Sequence, residues 1–247
     1  MIVRTIKTKI ITKNDRLFEI IDQSIQKLQE KTILAITSKI IALIEGRVIK
    51  KSEIDKGGLI EKEADLYIKP IKPDDFYLTI KNDILIPSAG IDESNAGEYY
   101  ILWPKDPQRS ANIIREYIVD KFKLKNLGVL ITDSTTAPLR WGVKGIAIAH
   151  SGFSALNDYV GKPDLLGRKL KVTKVNVVDA LAAAAVLTMG EGNEQMPLAL
   201  IEDIPFVQFQ DRNPTKKELE ELRISLDDDL YSPLLKTVKW KKKKNDC

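Results

Sequence analysis

Apolar and polar positions alternate over residues 2–11, the period of a strand with one buried face. The alternation gives way to Leu17, Ile20, Ile21, Ile25 and Leu28, a helical spacing, with Asn14 or Asp15 placed to cap its start. "TILAITSK" reads as a buried strand, and Ser38 is placed to cap a short helix that Gly46 ends. Residues 51–75 are charged and weakly patterned. Short strands over 77–80 and 84–87 lead into "SAGIDESNAG", and Pro107 opens the amphipathic helix of "DPQRSANIIREYIVDKF".

Further along, an apolar run over 127–132 predicts a buried strand that delivers Asp133 and Ser134 at its end. A Thr-Thr-Ala-Pro turn, Arg140 and a second strand over 143–149 follow. "SALNDYVGKPDLLGRKL" is rich in turn formers and reads as a loop. "LKVTKVNVVDALAAAAVLTMGEG" joins a short strand to a helix, with Asp179 near the start and Gly190 past the end. Its "ALAAAA" run suits close helix packing, and "NPTKKELEELRISLDDDL" supplies a last helix. No repeat or Gly/Ser linker divides the chain. Strands and helices alternate without strict βαβ regularity, so the fold class is α/β (mixed α+β). One domain over 1–237, as a single body or two interlocked lobes, precedes a lysine-rich tail over 238–247.

Composition narrows the chemistry. The 247 residues are 43% hydrophobic and 30% charged, ordinary for a soluble globular protein. No stretch approaches the roughly 20 apolar residues of a membrane span, and the N-terminus lacks the apolar core of a signal peptide. A cytoplasmic protein without membrane contact is expected. The net charge of +4 owes much to the five lysines of "KWKKKKN", a pattern that more often marks a solvated tail than a nucleic-acid site. The one cysteine, Cys247, excludes an internal disulfide, and the one histidine, His150, excludes a multi-histidine metal site within the chain. A metal here sits on oxygen ligands, which points to Mg²⁺ or Mn²⁺.

Three stretches end strands or helices in polar residues beside glycine. "TSKIIALIEGR" offers Ser38, Lys39, Glu45 and Arg47. "SAGIDESN" offers Asp92, Ser94 and Asn95. "ITDSTTAPLRWG" offers Asp133, Ser134 and Arg140. Paired carboxylates with Lys and Arg suit nucleotide chemistry, where acids hold a divalent ion and cations offset phosphate charge. The Walker A and G-x-G-x-x-G sequences are both absent. Spacing alone supports a phosphate and metal site and nothing sharper.

"TSKIIALIEGR", "AGIDESN", "DPQRSA", "TDSTTAPLRWGVKGIAIAHSG" and "DLLGRKLKVTKVNVVDALAAAAVLTMGEGNEQMPLALI" together resemble the coenzyme F420 gamma-glutamyl ligase family, in order and approximate spacing, over most of residues 1–210. The resemblance implies a two-lobed α/β fold forming an intertwined homodimer. It also implies addition of L-glutamate to a carboxylate of the acceptor coenzyme F420-0, with GTP (or ATP) as co-substrate and a divalent metal. A K⁺ requirement stays open. By motif position Asp92 and Asp133 would bind metal, with Ser134 beside them and Glu191 in the same cluster. Ser38, Lys39, Glu45, Arg47, Ser94 and Asn95 would lie on the nucleotide side, and Lys39 and Arg140 would screen the anions brought together at Asp133.

Two departures bear on the acceptor. Members acting on the deazaflavin typically read Gly-Arg-Pro after the Asp-Ser, where this chain has Thr135, Thr136 and Ala137 before Pro138 and Leu139. Ser88 also stands where Asn is usual in "NAGID". A bacterial branch with "TTPLRWG"-like turns implies a folate acceptor, and the hydroxyls of Thr135 and Thr136 with the apolar Leu139 favour that branch. A catalytically idle nucleotide-binding homologue is the competing reading.

Overall fold

The computed structural model describes residues 1–72 and 76–243. Residues 73–75 of the charged stretch and 244–247 of the lysine-rich tail, Cys247 included, lie outside the described residues. The strands and helices run in the order β1 (Ile2–Ile6), α1 (Leu17–Ser24), β2 (Thr32–Thr37), α2 (Ser38–Ile44), β3 (Val48–Lys50), α3 (Lys56–Glu63), β4 (Leu66–Ile68), β5 (Leu78–Lys81), β6 (Ile84–Pro87) and β7 (Tyr99–Ile101). They continue as α4 (Pro107–Phe122), β8 (Leu127–Thr136), β9 (Val143–Ser151), β10 (Leu156–Asp158), β11 (Lys174–Asn176), α5 (Val177–Met189), β12 (Leu198–Glu202), α6 (Lys216–Glu221), α7 (Ser232–Leu235) and β13 (Lys241–Lys242). The mixed α/β class is as expected.

The larger sheet has the order β1-β12-β2-β8-β9. Only its central pair, β2 and β8, is parallel, in the register Thr32↔Leu127 to Thr37↔Thr132. Both strands read as near-continuous apolar runs because both faces of the sheet are covered. Leu34 and Ile36 of β2 face one core with Ile21 of α1 and Ile114 and Ile118 of α4. Ile33 and Ala35 face the other, with Val178, Leu181, Ala182 and Ala185 of α5. A second sheet, β13-β4-β5-β6, has its own apolar cluster, with Leu59 and Ile60 of α3 packed on Tyr67, Ala89 and Leu102. We term the five-stranded sheet with its two clusters the first lobe and the four-stranded sheet with its own cluster the second.

The alanine run serves α5's approach to β9. A Cβ on Gly145 of β9 would lie 2.2 Å from the carbonyl oxygen of Ala182, so helix and strand meet backbone to backbone there. No described helix is long and apolar enough to cross a membrane.

Several local readings are corrected. Neither Asn14 nor Asp15 caps α1: the Asp15 carboxylate accepts from Thr12 N at 2.7 Å and pairs with Lys9, leaving Arg16 at the cap without a side-chain bond. Ser38 likewise begins α2 with Thr37 at the cap position and no side-chain capping bond. Ile25 and Leu28 lie beyond the end of α1 yet stay buried, because the chain turns extended at Ile25 and lays both against the same core. The charged stretch 51–75 contains α3, capped by Asp55, and β4. The turn-rich loop is edged by β10 and β11, which pair antiparallel. The helix expected as the last is α6, which starts at a Thr215–Glu218 capping box and ends at Glu221, and the short α7 follows it. Lys241 and Lys242 pair with Tyr67 and Leu66 at the edge of β4, so part of the tail is a short edge strand whose lysines stay exposed.

Candidate active site

β2 and β8 are parallel neighbours, and β2 ends at Thr37 opposite Thr132, so the residues that follow both positions share a crevice at one edge. β2 hands over to Ser38 and Lys39, while β8 presents Thr132, Asp133 and Ser134 next to them. A register shift between Ile131 and Thr132 re-aims the end of β8, as bulges do. From the other lobe, β6 leads into Ser88, Ala89 and Gly90, all three left-handed at φ 50°, 55° and 68°. This tight turn swings Asp92 back to bridge Ile101, with Asp92 N donating to Ile101 O at 2.9 Å. The C-terminus of α5 releases Gly190 and Glu191 on the remaining side. Together these segments line a cavity of about 750 Å³.

Polar contacts connect its walls. Lys39 Nζ meets Asp92 Oδ2 at 2.6 Å and donates to Ser94 Oγ at 2.9 Å. Ser94 N donates to Asp92 Oδ1 at 2.7 Å, and Ser134 Oγ donates to Glu191 Oε1 at 2.6 Å. Asn95 Nδ2 donates to the carbonyl of Gly192 at 3.0 Å, tying the lobe-two loop to the end of α5. Asp133 accepts from Ser134 N at 2.8 Å and from the indole N–H of Trp103, which is 1% exposed.

The two aspartates are driven apart in acidity. Desolvation pushes the Asp133 carboxyl up to about 7 against the hydrogen bonds of Trp103 and Ser134, with the charges of Asp92 and Glu191 adding to the rise. Asp92 is also desolvated, but the Lys39 ammonium and the Ser94 N–H hold it below the ordinary carboxylate value. Asp92 and Asp133, 41 positions apart in sequence, therefore sense one another across the cavity.

Among the described residues, no three acidic, histidine or cysteine side chains gather tightly enough to form a metal cluster as they stand. The donor set nevertheless fits a hard divalent ion. Asp92, Asp133, Glu191 and the Ser134 hydroxyl are all oxygen donors lining one cavity, and a cation bound there would offset the cost of ionising Asp133.

Not every expected residue comes here. Ser38, Lys39, Asp92, Ser94, Asn95, Asp133, Ser134 and Glu191 line the cavity; Glu45, Arg47 and Arg140 do not. Glu45 accepts from Lys105 N and Ser110 Oγ, both at 2.9 Å, and so anchors the start of α4. Arg47 donates to Trp103 O at 3.1 Å and to Glu63 at 3.0 Å. Arg140 is displaced because β8 runs on to Thr136, pairing Thr135 with Lys144 and Thr136 with Val143. The turn is thereby carried roughly 10 Å past Asp133 at 3.3 Å per residue. Arg140 is exposed at the hairpin tip beside Leu139 and Trp141, themselves 102% and 103% exposed. It does not return to Asp133 within the chain.

Residues 5–203 match the family model described as F420-0:Gamma-glutamyl ligase. The chain belongs to this family. Among its relatives is the coenzyme F420:L-glutamate ligase of Methanococcus maripaludis strain S2, 36% identical over 209 residues, which are 78% of this chain and 82% of the relative. The protein of that name from Methanopyrus kandleri is 34% identical over 208 residues, covering 77% and 81%. That of Methanocaldococcus jannaschii is 33% identical over 213 residues, covering 79% and 85%. The family match spans residues 5–203, and every residue lining the cavity falls within it.

Trp103 was not visible as a site residue from sequence. A tryptophan after an apolar run reads as core, and it is core; what the pattern hides is that its one polar atom points at Asp133. The proline and Asp-Pro that follow it, marking the start of α4, were the available signal.

Proposed function

We propose that this chain couples nucleotide cleavage to amide formation, joining L-glutamate to a carboxylate of a planar heteroaromatic acceptor. The observation that supports it most is the meeting of Asp92, Asp133, Glu191 and Lys39 on one cavity at the ends of β2 and β8. An acceptor carboxylate oxygen attacks the γ-phosphorus of GTP or ATP, the nucleoside diphosphate leaves, and an acyl phosphate forms. The glutamate amine then attacks the acyl carbon; inorganic phosphate departs and the nitrogen gives up a proton.

Every species brought together is anionic. Two unit charges 4 Å apart repel by about 4 kcal/mol at an effective dielectric of about 20. Lys39 offsets part of this, and moves from Asp92 toward phosphate as the nucleotide enters. Ser38, Ser94 and Asn95 supply polar groups along the nucleotide. Asp92, Asp133, Ser134 and Glu191 would hold Mg²⁺ or Mn²⁺, which when bound supplies charge neutralisation for the transferred phosphoryl group. Trp103 fixes the Asp133 carboxylate so that the donor set is in place before substrates arrive.

The first reading of the acceptor is coenzyme F420-0, which the relatives' names favour. A folate is the second reading: Thr135 and Thr136 line the cavity, and Lys9 and Lys39 are its cations, with no arginine among the described lining residues. That is a modest positive charge for a phosphorylated acceptor. We also infer a homodimer. The fully exposed Leu139 and Trp141 at the β8–β9 tip, and Leu165 and Leu166 at 103% and 94% exposure in the segment between β10 and β11, are apolar projections that a second copy would cover.

The test is ligation of labelled glutamate by the purified chain, with F420-0 and tetrahydrofolate supplied together and GTP crossed against ATP, Mg²⁺ against Mn²⁺ and K⁺ against Na⁺. Acceptor extended by glutamate with stoichiometric phosphate release is the expected result. Nucleotide binding without glutamate-dependent phosphate release marks the chain as an idle homologue instead.

A further inference from the structure

Beside Trp103, three charged residues, none of them lining the cavity, converge from three segments. Lys81 ends β5, Glu63 ends α3, and Arg47 lies between α2 and β3. Lys81 Nζ meets Glu63 Oε2 at 2.7 Å, and the Arg47 guanidinium meets the same oxygen at 3.0 Å. Arg47 grips the Trp103 segment twice: its Nε donates to Trp103 O at 3.1 Å, and its carbonyl accepts from Leu102 N at 3.0 Å. The Lys81 ammonium stands 5.5 Å from the centroid of the Trp103 ring.

Lys81 is only 7% exposed, and desolvation draws its ammonium below the usual lysine value despite Glu63. A buried ion group is weak evidence for stability, since apolar packing of equal volume commonly does as well. Its placement here has a specific consequence. A cation within about 6 Å of an indole face is attracted to the ring and draws electron density from it, which makes the N–H at the ring edge a stronger donor. That N–H points at Asp133.

We propose that Lys81 is a positioning residue for Asp133, acting through the Trp103 indole, with Glu63 and Arg47 holding it in place. The group never touches the cavity. It fixes the ring and strengthens the one side-chain hydrogen bond that orients the Asp133 carboxylate. This rests on the reading of Asp133 as the site acid, so the decisive measurement is independent of turnover.

The experiment follows the indole ¹⁵N–¹H resonance of Trp103, assigned by its loss in Trp103→Phe, in the full chain and in Lys81→Met, Lys81→Arg and the double variant Glu63→Gln/Lys81→Met. Where Lys81→Met alone fails to fold, the double variant removes the Lys81–Glu63 pair together and leaves Arg47 bonded to the Trp103 carbonyl, so the comparison stays available. The indole proton is expected to move upfield in both Lys81→Met backgrounds and to return in Lys81→Arg, with CD spectra unchanged. Mn²⁺ affinity and kcat are expected to fall about tenfold to a hundredfold, as misplacement of a site group by about 1 Å does, with KM for nucleotide unchanged. An indole resonance that stays put in a folded variant lacking Lys81 overturns the proposal, because a purely structural staple alters stability and not the Trp103 N–H. A moved resonance in a chain that ligates nothing leaves this inference standing and fails the ligase reading alone.

Discussion

A Cβ added to Gly90 would lie 2.1 Å from Nε1 of Trp103, the atom whose hydrogen is given to Asp133. Gly90 also sits at φ 68°, in the left-handed region that side chains resist. The turn that presents Asp92 is therefore packed directly on the residue that holds Asp133. Gly90→Ala should lower stability by about 2–4 kcal/mol, combining roughly 1 kcal/mol of backbone cost with an overpacking cost of about 1–3 kcal/mol. Urea midpoints measure this. A variant with wild-type stability and wild-type indole environment would show that the close approach carries no constraint.

The pH dependence of the metal-free protein follows from two desolvated groups with opposite signs. Asp133 has its carboxyl raised from 3.8 to about 7, so the folded chain keeps a proton that the unfolded chain has released. Its contribution to stability is full below pH 3.8 and is lost as pH rises to 7. His150, 2% exposed, is lowered by desolvation from 6.5 to about 4. Its contribution is present above pH 6.5 and is lost as pH falls to 4. The two slopes oppose one another in the wild type. Asp133→Asn removes the first and should make the thermal midpoint climb more steeply between pH 4 and 6.5. Parallel wild-type and variant profiles in calorimetry would refute the assignment.

Lys39 carries the charge nearest the proposed phosphoryl path, paired with Asp92 at 2.6 Å in a partly solvated setting. Lys39→Ala should cost about 10²–10³ in kcat, the scale on which single preorganised charge-stabilising groups act, and little stability, because partly exposed pairs contribute at most about 1 kcal/mol. Initial rates with thermal melts separate the two. Loss of folding with activity per folded molecule preserved would place Lys39 in the structure instead.

The parts of this molecule readable from sequence are those set by short-range pattern. The apolar runs of β2 and β8, the Pro107 start of α4 and the Gly190 end of α5 all fall where local rules put them. Arg140 fails for a local reason too: Thr135 and Thr136 look like turn residues beside Ala137 and Pro138, yet β-branched threonines are good strand formers and β9 is there to pair with them. Asp92 and Asp133 stood out as candidate acids beside glycine, but local pattern could not show their meeting, which depends on the left-handed Ser88–Gly90 turn and the bridge to Ile101. Glu45 and Arg47 lie in a motif stretch without lining the cavity, because motif position does not distinguish a group that faces a ligand from one that braces its neighbours.

The last prediction concerns assembly. Of the small-residue run Ala182 to Ala185, Ala182 and Ala185 are consumed inside the chain while Ala183 and Ala184 stay partly exposed, so a dimer draws on exposed surface. The β8–β9 tip offers it: Leu139 and Trp141 have no cover from their own chain, and exposed tryptophans are costly in water and enriched at interfaces. A stable homodimer should bury roughly 2,000 Å² or more. Trp141→Asp should then shift the molar mass in light scattering from dimer toward monomer at micromolar concentration, while the melting curve of the monomeric lobes changes little because Trp141 contacts no core. A wild-type chain that is monomeric under the same conditions ends the dimer reading, and a Trp141→Asp variant that remains a full dimer moves the interface elsewhere.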